Sequence, residues 1–313
     1  MAYSHPTLRS MGDVDILVKR CDLDRAAEVM ESNGYTLTHD KDHVGHHYNY
    51  SKDKISFELH KRLPSINDDD EKLLTLYEDG IDNREWHQIG SYRFPTLPTL
   101  LNGLVLIFHI NQHLREGLGL RQIVDWMMYV HTLPNDQWEE LLLLLCSTGM
   151  DRLALTTTAM CQHYLGLRTI VEDDGLPVAE LMTYIMEKGN FGCKAGVEGK
   201  AAAFSLSVTE KSSFFRRLQA GGLSQWSAAA KKHPILRPFA WMYQGFRILG
   251  ILIKNKMGFK EVQVQRRKGL EQRKLIESLG LRVDKRILYQ EKVPSKEENS
   301  INSSACMKQK HNS

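Results

Sequence analysis

The chain has 313 residues, 42% of them hydrophobic and 25% charged, with 41 Lys/Arg against 38 Asp/Glu and a net charge of +3. These proportions suit a globular protein with core enough for one large or two smaller domains, and they exclude fibrous and low-complexity chains. No basic segment followed by an apolar one opens the chain, and its greasiest stretch, Ile248 to Ile253, is far too short for a bilayer, so no transmembrane segment and a cytoplasmic location are expected.

The first predicted element is a strand. After Arg9, Ser10 and Gly12, the residues Asp13, Asp15 and Leu17 alternate with Val14, Ile16 and Val18, the period of a half-buried strand. Asp13 and Asp15 therefore point the same way, within roughly 7 Å of each other. Two like charges held that close are tolerated mainly where a cation neutralises them, and an oxygen-only site with room for water and phosphate suits Mg²⁺. A lone D-x-D triplet arises by chance in a chain of this size, so Gly12 and the apolar continuation carry much of the signal.

A helix is predicted from Asp22 to Asn33, with Asp22 as N-cap and Gly34 as the stop. Residues 45–62 read as a hairpin: Gly45 to Ser51, a polar turn at Lys52-Asp53, then Lys54 to Arg62. In the second arm Ile55, Phe57 and Leu59 alternate with Ser56, Glu58 and His60, which puts Glu58 and His60 on one face. His43, His46 and His47 carry no recognisable ligand spacing and read as exposed strand and turn residues.

From Pro95 the pattern turns helical, over Leu97–Leu114, Leu120–Thr132, Asp136–Ser147, Asp151–Leu165 and Pro177–Lys188, with Pro134, Gly149 and Gly166 between. The short connections predict antiparallel neighbours in a bundle. His109 and His113 sit one turn apart but lack the glutamate of zinc-protease motifs, so structural or substrate-facing roles are expected rather than zinc. Arg121 and Asp125, also one turn apart, most simply form an intrahelical ion pair; the other reading has Arg121 on a phosphate, oriented by Asp125. Residues 231–286 hold fifteen Lys/Arg against four Asp/Glu, clustered at Arg266, Arg267, Lys268, Arg273 and Lys274. A solvated face is the plain reading of such a run, and nucleic acid, a tRNA-like acceptor or an anionic surface the alternative. The five cysteines (Cys21, Cys146, Cys161, Cys193, Cys306) are scattered and read as reduced thiols. The expected fold class is α+β, with an α/β domain over 1–95, a helical domain over 96–290 and a disordered tail over 291–313.

Three matches in order make the chain resemble a known family. Gly12-Asp13-Val14-Asp15 followed by apolar residues is similar to the core motif of the DNA polymerase β-like nucleotidyltransferase superfamily. Within it, Arg9 ahead of that motif, Glu58-Leu59-His60 on a later strand, and Gly119-Leu120-Arg121-Gln122 followed by Asp125-Trp126 resemble the bacterial family of uncharacterised nucleotidyltransferases. The resemblance implies a mixed-sheet catalytic domain in which two Mg²⁺ ions clamp an NTP, ATP among the candidates, and a nucleotidyl group moves to a hydroxyl of an acceptor it does not identify. It assigns Asp13, Asp15 and Glu58 to metal binding and catalysis, Glu58 as third carboxylate and candidate base. It assigns Arg9, Ser10, Gly12, His60 and Arg121 to the nucleotide side.

The superfamily also places a Gly-Ser or Gly-Gly turn ahead of the D-x-D, where backbone N–H groups grip the triphosphate. Met1 to Met11 contains no glycine. Either a longer chain or a lost phosphate-gripping element is expected, and the second would make this a catalytically degenerate accessory protein. A tRNA-modifying toxin is the further alternative, resting on the basic helix. The segment Leu97–Trp126 is expected to wall the cleft, with at least one of His109, His113 and Arg121 turned toward the Asp13/Asp15 face.

Overall fold

In a computed structural model the chain is α+β, and the structure describes residues 9, 12–38, 47–63, 66, 70–168, 170–188 and 259–281, with isolated positions between 238 and 250. Strand β1 (Asp13–Leu17) runs through a short 3-10 turn into helix α1 (Leu23–Ser32). Strands β2 (Thr36–Leu37), β3 (His47–Lys52) and β4 (Ile55–His60) complete a four-stranded sheet in the order β1-β4-β3-β2. β1 lies parallel to β4, with Asp15 opposite Glu58, and β4 lies antiparallel to β3, with His60 opposite His47.

Binary patterning makes this sheet two-sided. On α1, Leu23, Ala27 and Met30 recur at helical spacing and pack with Tyr50 and Leu59, joined by Ile16, Val18 and Phe57. Ile16 of β1 and Phe57 and Leu59 of β4 thus face α1. The opposite face keeps Asp13 and Asp15 from β1, Ser56, Glu58 and His60 from β4, and His47, Asn49 and Ser51 from β3. The β3–β4 turn is the two residues Asp53 and Lys54, at φ 51° and 66°, one position later than the predicted Lys52-Asp53. Two consecutive left-handed residues are the signature of a type I′ turn, whose twist matches the flanking strands.

Helix α2 (Glu71–Asp82) is capped by Asp70, which accepts the Leu73 N–H at 3.3 Å. Arg20 ties it to the 3-10 turn by donating to Glu78 at 2.9 Å and to Glu71 at 3.2 Å. A separate two-stranded ribbon follows, β5 (Glu85–Ile89) with β6 (Tyr92–Thr96). It is wet on both faces, and the exposed Trp86 lies beneath the guanidiniums of Arg84 and Arg93 at 5.5 and 4.4 Å.

Among the described residues the helices that follow are α3 (Thr99–Glu116), α4 (Leu120–Thr132), α5 (Asn135–Thr148), α6 (Asp151–Leu165), α7 (Val178–Lys188) and α8 (Phe259–Ser278). Gly149 and Gly166, at φ 68° and 78°, close α5 and α6 in the left-handed conformation. The chain divides into two compact units: the described residues of Met1–Gln112 with Arg121–Val171, and His113–Leu120 with the described residues of Glu172–Val283.

In the first unit Leu104, Ile107, Ile123, Trp126, Leu141 and Leu145 are fully buried, and the Trp126 indole N–H donates to Thr158 at 3.0 Å. Tyr129 donates to the Thr99 carbonyl at 3.0 Å and lies against Gly103, where a Cβ would come within 2.4 Å of its oxygen. In the second unit the buried Gln272 donates to the Leu114 carbonyl at 2.9 Å and to the Tyr184 hydroxyl at 3.0 Å. Along α8, Arg267 and Arg273 pair within the helix with Glu271 and Glu277. The Arg266 side chain, most of the basic 231–286 region, the expected tail, Cys193 and Cys306 lie outside the described residues. Cys21, Cys146 and Cys161 are free thiols, and burial pushes Cys161 up to about 12. No described helix is long and apolar enough to cross a membrane.

Candidate functional site

The polar face of the sheet gathers its charges around one nitrogen. His60 Nε2 sits 2.8 Å from Asp15 Oδ1 and 3.2 Å from Glu58 Oε2. Register explains the meeting: Asp15 and Glu58 are cross-strand partners on neighbouring parallel strands, and Glu58 and His60 are two residues apart on β4. From the far side, His47 of β3 places its Nε2 3.7 Å from Glu58 Oε1, with its ring 5.0 Å from that of His60. His60 is buried, Glu58 and His47 are partly covered, and the Asp15 side chain stays half exposed.

Burial opposes charge on each of these groups, but mutual attraction wins for three of them. Burial disfavours the His60 imidazolium, yet its hydrogen bonds to Asp15 and Glu58 raise it from 6.5 to about 9, so it is protonated at neutral pH in the metal-free chain. The same bonds outweigh burial on the two carboxylates and hold Asp15 and Glu58 below their ordinary values. His47 goes the other way, because burial outweighs the pull of Glu58 and keeps it neutral. His109 on α3 adds to the field that lowers Asp15, so this histidine of the predicted wall acts on the Asp15 face. His113 falls in the second unit.

Arg9, ahead of β1, is fastened to α4. Arg9 donates through Nε and Nη2 to the two oxygens of Asp125, both at 2.6 Å. The sequence expectation of an Arg121–Asp125 pair is therefore corrected: a two-pronged tertiary partner takes the carboxylate that a helical neighbour would have held singly. Arg121 instead lies against Gly12, where a Cβ would meet its Nη1 at 2.6 Å and its Nη2 at 2.9 Å. Only a glycine lets the guanidinium approach the backbone that leads into Asp13 so closely. Among the described residues no carboxylate partners Arg121. Asp13 is exposed at the start of β1, and Ser10 lies outside the described residues.

His47 is the residue that sequence reasoning missed. It was expected as an exposed strand or turn residue, and it is partly covered and faces Glu58. Hydrophobic alternation could have shown it only together with the hairpin register, since its ligand-like spacing exists across strands and not along the chain. A cleft of about 430 Å³ lies on the opposite side of the sheet, lined by Ile16, Val18, Ala26, Val29 and Met30. It is largely apolar and shares no residue with the charged face, so it is set aside as the site.

Asp13, Asp15 and Glu58 offer oxygens that a hard divalent cation takes, and the exposed positions of Asp13 and Asp15 leave it room to keep its waters. The protein is thus an α+β chain whose mixed sheet carries a carboxylate–histidine face beside an arginine-clasped glycine loop. It belongs to the family described as uncharacterised nucleotidyltransferase, whose profile matches residues 1–166. Searches of curated proteins and of solved structures return no match.

Proposed function

We propose that the chain transfers a nucleotidyl group from an NTP to a hydroxyl-bearing acceptor, with Mg²⁺ held by Asp13, Asp15 and Glu58. The observation that carries this reading is the convergence of Asp15 and Glu58 from two strands on one point, in a nucleotidyltransferase family. Bound there, Mg²⁺ would polarise the reacting phosphoryl group and offset charge on the leaving pyrophosphate. Arg121, without a carboxylate among the described residues and stacked on Gly12, supplies two fixed N–H donors to a phosphate. The Arg9–Asp125 pair holds the loop against α4, so that Arg121 and Asp13 keep their spacing. His60, bridging both carboxylates, aims them and offsets their repulsion when no cation is bound. Glu58, kept ionised, accepts the proton of the attacking hydroxyl.

The test is calorimetric titration with MgATP, MgGTP, MgCTP and MgUTP, together with pyrophosphate release. Asp13→Asn combined with Asp15→Asn should abolish Mg²⁺-dependent binding and leave the fold intact, since His60 keeps Glu58 as its carboxylate partner, although the stabilisation from the Asp15–His60 pair is lost. Equal binding by parent and double variant sinks the assignment. Binding without pyrophosphate release under any acceptor supplied would instead leave a nucleotide-binding accessory protein.

A further inference from the structure

The carboxylates that face Mg²⁺ are not the whole ligand inventory of this surface. Among the described residues, the three metal-ligating side chains that gather are His47, Glu58 and His60, and their donor atoms all lie within 4.8 Å of one another. We propose that these three side chains form a second kind of site on the same face, for a borderline divalent ion, Zn²⁺ by preference.

Geometry carries the argument. In a tetrahedral zinc site with bonds of about 2.0–2.1 Å, neighbouring ligand atoms stand on the order of 3.3 Å apart. Each imidazole already stands near that distance from a Glu58 oxygen, His60 Nε2 3.2 Å from Oε2 and His47 Nε2 3.7 Å from Oε1, so the carboxylate lies between the two rings. The edge between the two imidazoles falls within the same 4.8 Å limit. Closing the triangle therefore asks for side-chain adjustments and no movement of the strands. Asp15, 2.8 Å from His60 Nε2, offers a fourth oxygen, and its half-exposed side chain leaves an approach for water.

The ligand types choose the metal. Mg²⁺ prefers oxygen and gives up its waters reluctantly, whereas two imidazoles and a carboxylate suit Zn²⁺ above the earlier first-row divalent ions. The scaffold is also rigid. His47 and His60 are direct cross-strand partners in the β3–β4 ladder and Glu58 is two residues along the same strand, so backbone pairing fixes all three Cα positions. The zinc site shares Glu58, and Asp15 as its fourth oxygen, with the proposed nucleotidyl-transfer centre but does not depend on that reading.

The experiment titrates the full chain, stripped with EDTA and exchanged, with Zn²⁺ alone, Co²⁺ alone and Mg²⁺ alone, without nucleotide. The parent should bind one Zn²⁺ and, with Co²⁺, show the visible absorption of a four-coordinate ion with nitrogen ligands. A hundredfold excess of Mg²⁺ should not displace either. His47→Ala and His47→Gln, checked for fold by circular dichroism, should weaken Zn²⁺ at least tenfold, comparable with what other metal sites lose when their ligand shells are altered. Asp13→Asn should lose MgNTP binding and keep Zn²⁺. A parent that binds no Zn²⁺, or gives only six-coordinate Co²⁺, overturns the proposal whatever the variants do. So does Zn²⁺ affinity unchanged in both folded His47 variants. A parent that binds Zn²⁺ but no MgNTP removes the nucleotidyltransferase reading and leaves this one standing.

Discussion

Gly12→Ala separates the architecture of the loop from its chemistry. The new Cβ would stand 2.6 Å from Arg121 Nη1 and 2.9 Å from Nη2. An ordinary contact requires the guanidinium to retreat by about 1 Å. The atoms in the way are the far end of a long side chain, so the fold adjusts at small cost. Gly12 does not sit in the left-handed region, and alanine there narrows the unfolded ensemble, a gain of about 0.4–1 kcal/mol. Stability should therefore stay within about 1 kcal/mol of the parent. Nucleotide affinity should not. A displaced guanidinium forfeits charge-assisted hydrogen bonds worth about 1.5–3 kcal/mol. That loss is roughly 10- to 150-fold in Kd for MgNTP. The assay pairs calorimetric titration with urea denaturation on the same preparations, with Arg121→Ala alongside. If Gly12→Ala matches the parent in both Kd and stability, the guanidinium over Gly12 does not hold phosphate.

Gly103→Ala should behave in the opposite way, because the obstacle is a Tyr129 ring fixed by its bond to the Thr99 carbonyl. Overpacking should exceed the helix-propensity gain of about 1 kcal/mol and lower stability by about 1–3 kcal/mol in urea denaturation, and an unchanged midpoint would refute the fixed-ring argument. In EDTA, the His60 contribution should be complete below pH 6.5 and decline as pH rises through about 9, since its folded value is raised above the unfolded one. Asp15 and Glu58, held low, add stability above their ordinary range and lose it on acidification. Thermal midpoints from about pH 2 to about pH 10 cover both limbs; His60→Gln should flatten the alkaline limb, and a parent already flat between 6.5 and 9 would contradict the ion-pair account.

Much of the scaffold was legible because pattern and fold agree. The alternation in Asp13–Val18 and Ile55–His60 assigned the buried and polar faces, and the periodic segments Leu120–Thr132 and Asp151–Leu165 are helices with those bounds. Helix α3 begins at Thr99 and not at Leu97, because the ring of Pro98 disfavours helical backbone at the residue before it, while the Pro98 carbonyl serves the first turn by accepting from the Asn102 N–H. The β5–β6 ribbon left no trace in hydrophobic alternation, since water reaches both of its faces and selects no period. Arg9 with Asp125 spans 116 residues, and His47 with Glu58 depends on strand register. Neither partnership exists in any local window. The carboxylates were legible one strand at a time; their convergence on His60 is a property of the pairing.

That pairing is set at the end of the hairpin farthest from the histidines. Asp53 and Lys54 close the loop at Lys52↔Ile55, and the His47↔His60 pair is the last rung of the same ladder. Neither residue is a glycine, and each holds a left-handed backbone that L side chains adopt at a cost of order 1 kcal/mol. Register thus acts as a phase: the loop counts two residues, and everything downstream keeps step. Adding or deleting one residue there would turn His47 toward α1 and bring Tyr48 to face the carboxylates, dismantling the histidine pair without touching either histidine. Asparagine and glycine at the same two positions would relax the backbone and hold the count. The loop is therefore a place where a chain could gain or lose its imidazole ligands in a single insertion, while its aspartates, on a strand set by a different connection, stayed where they are.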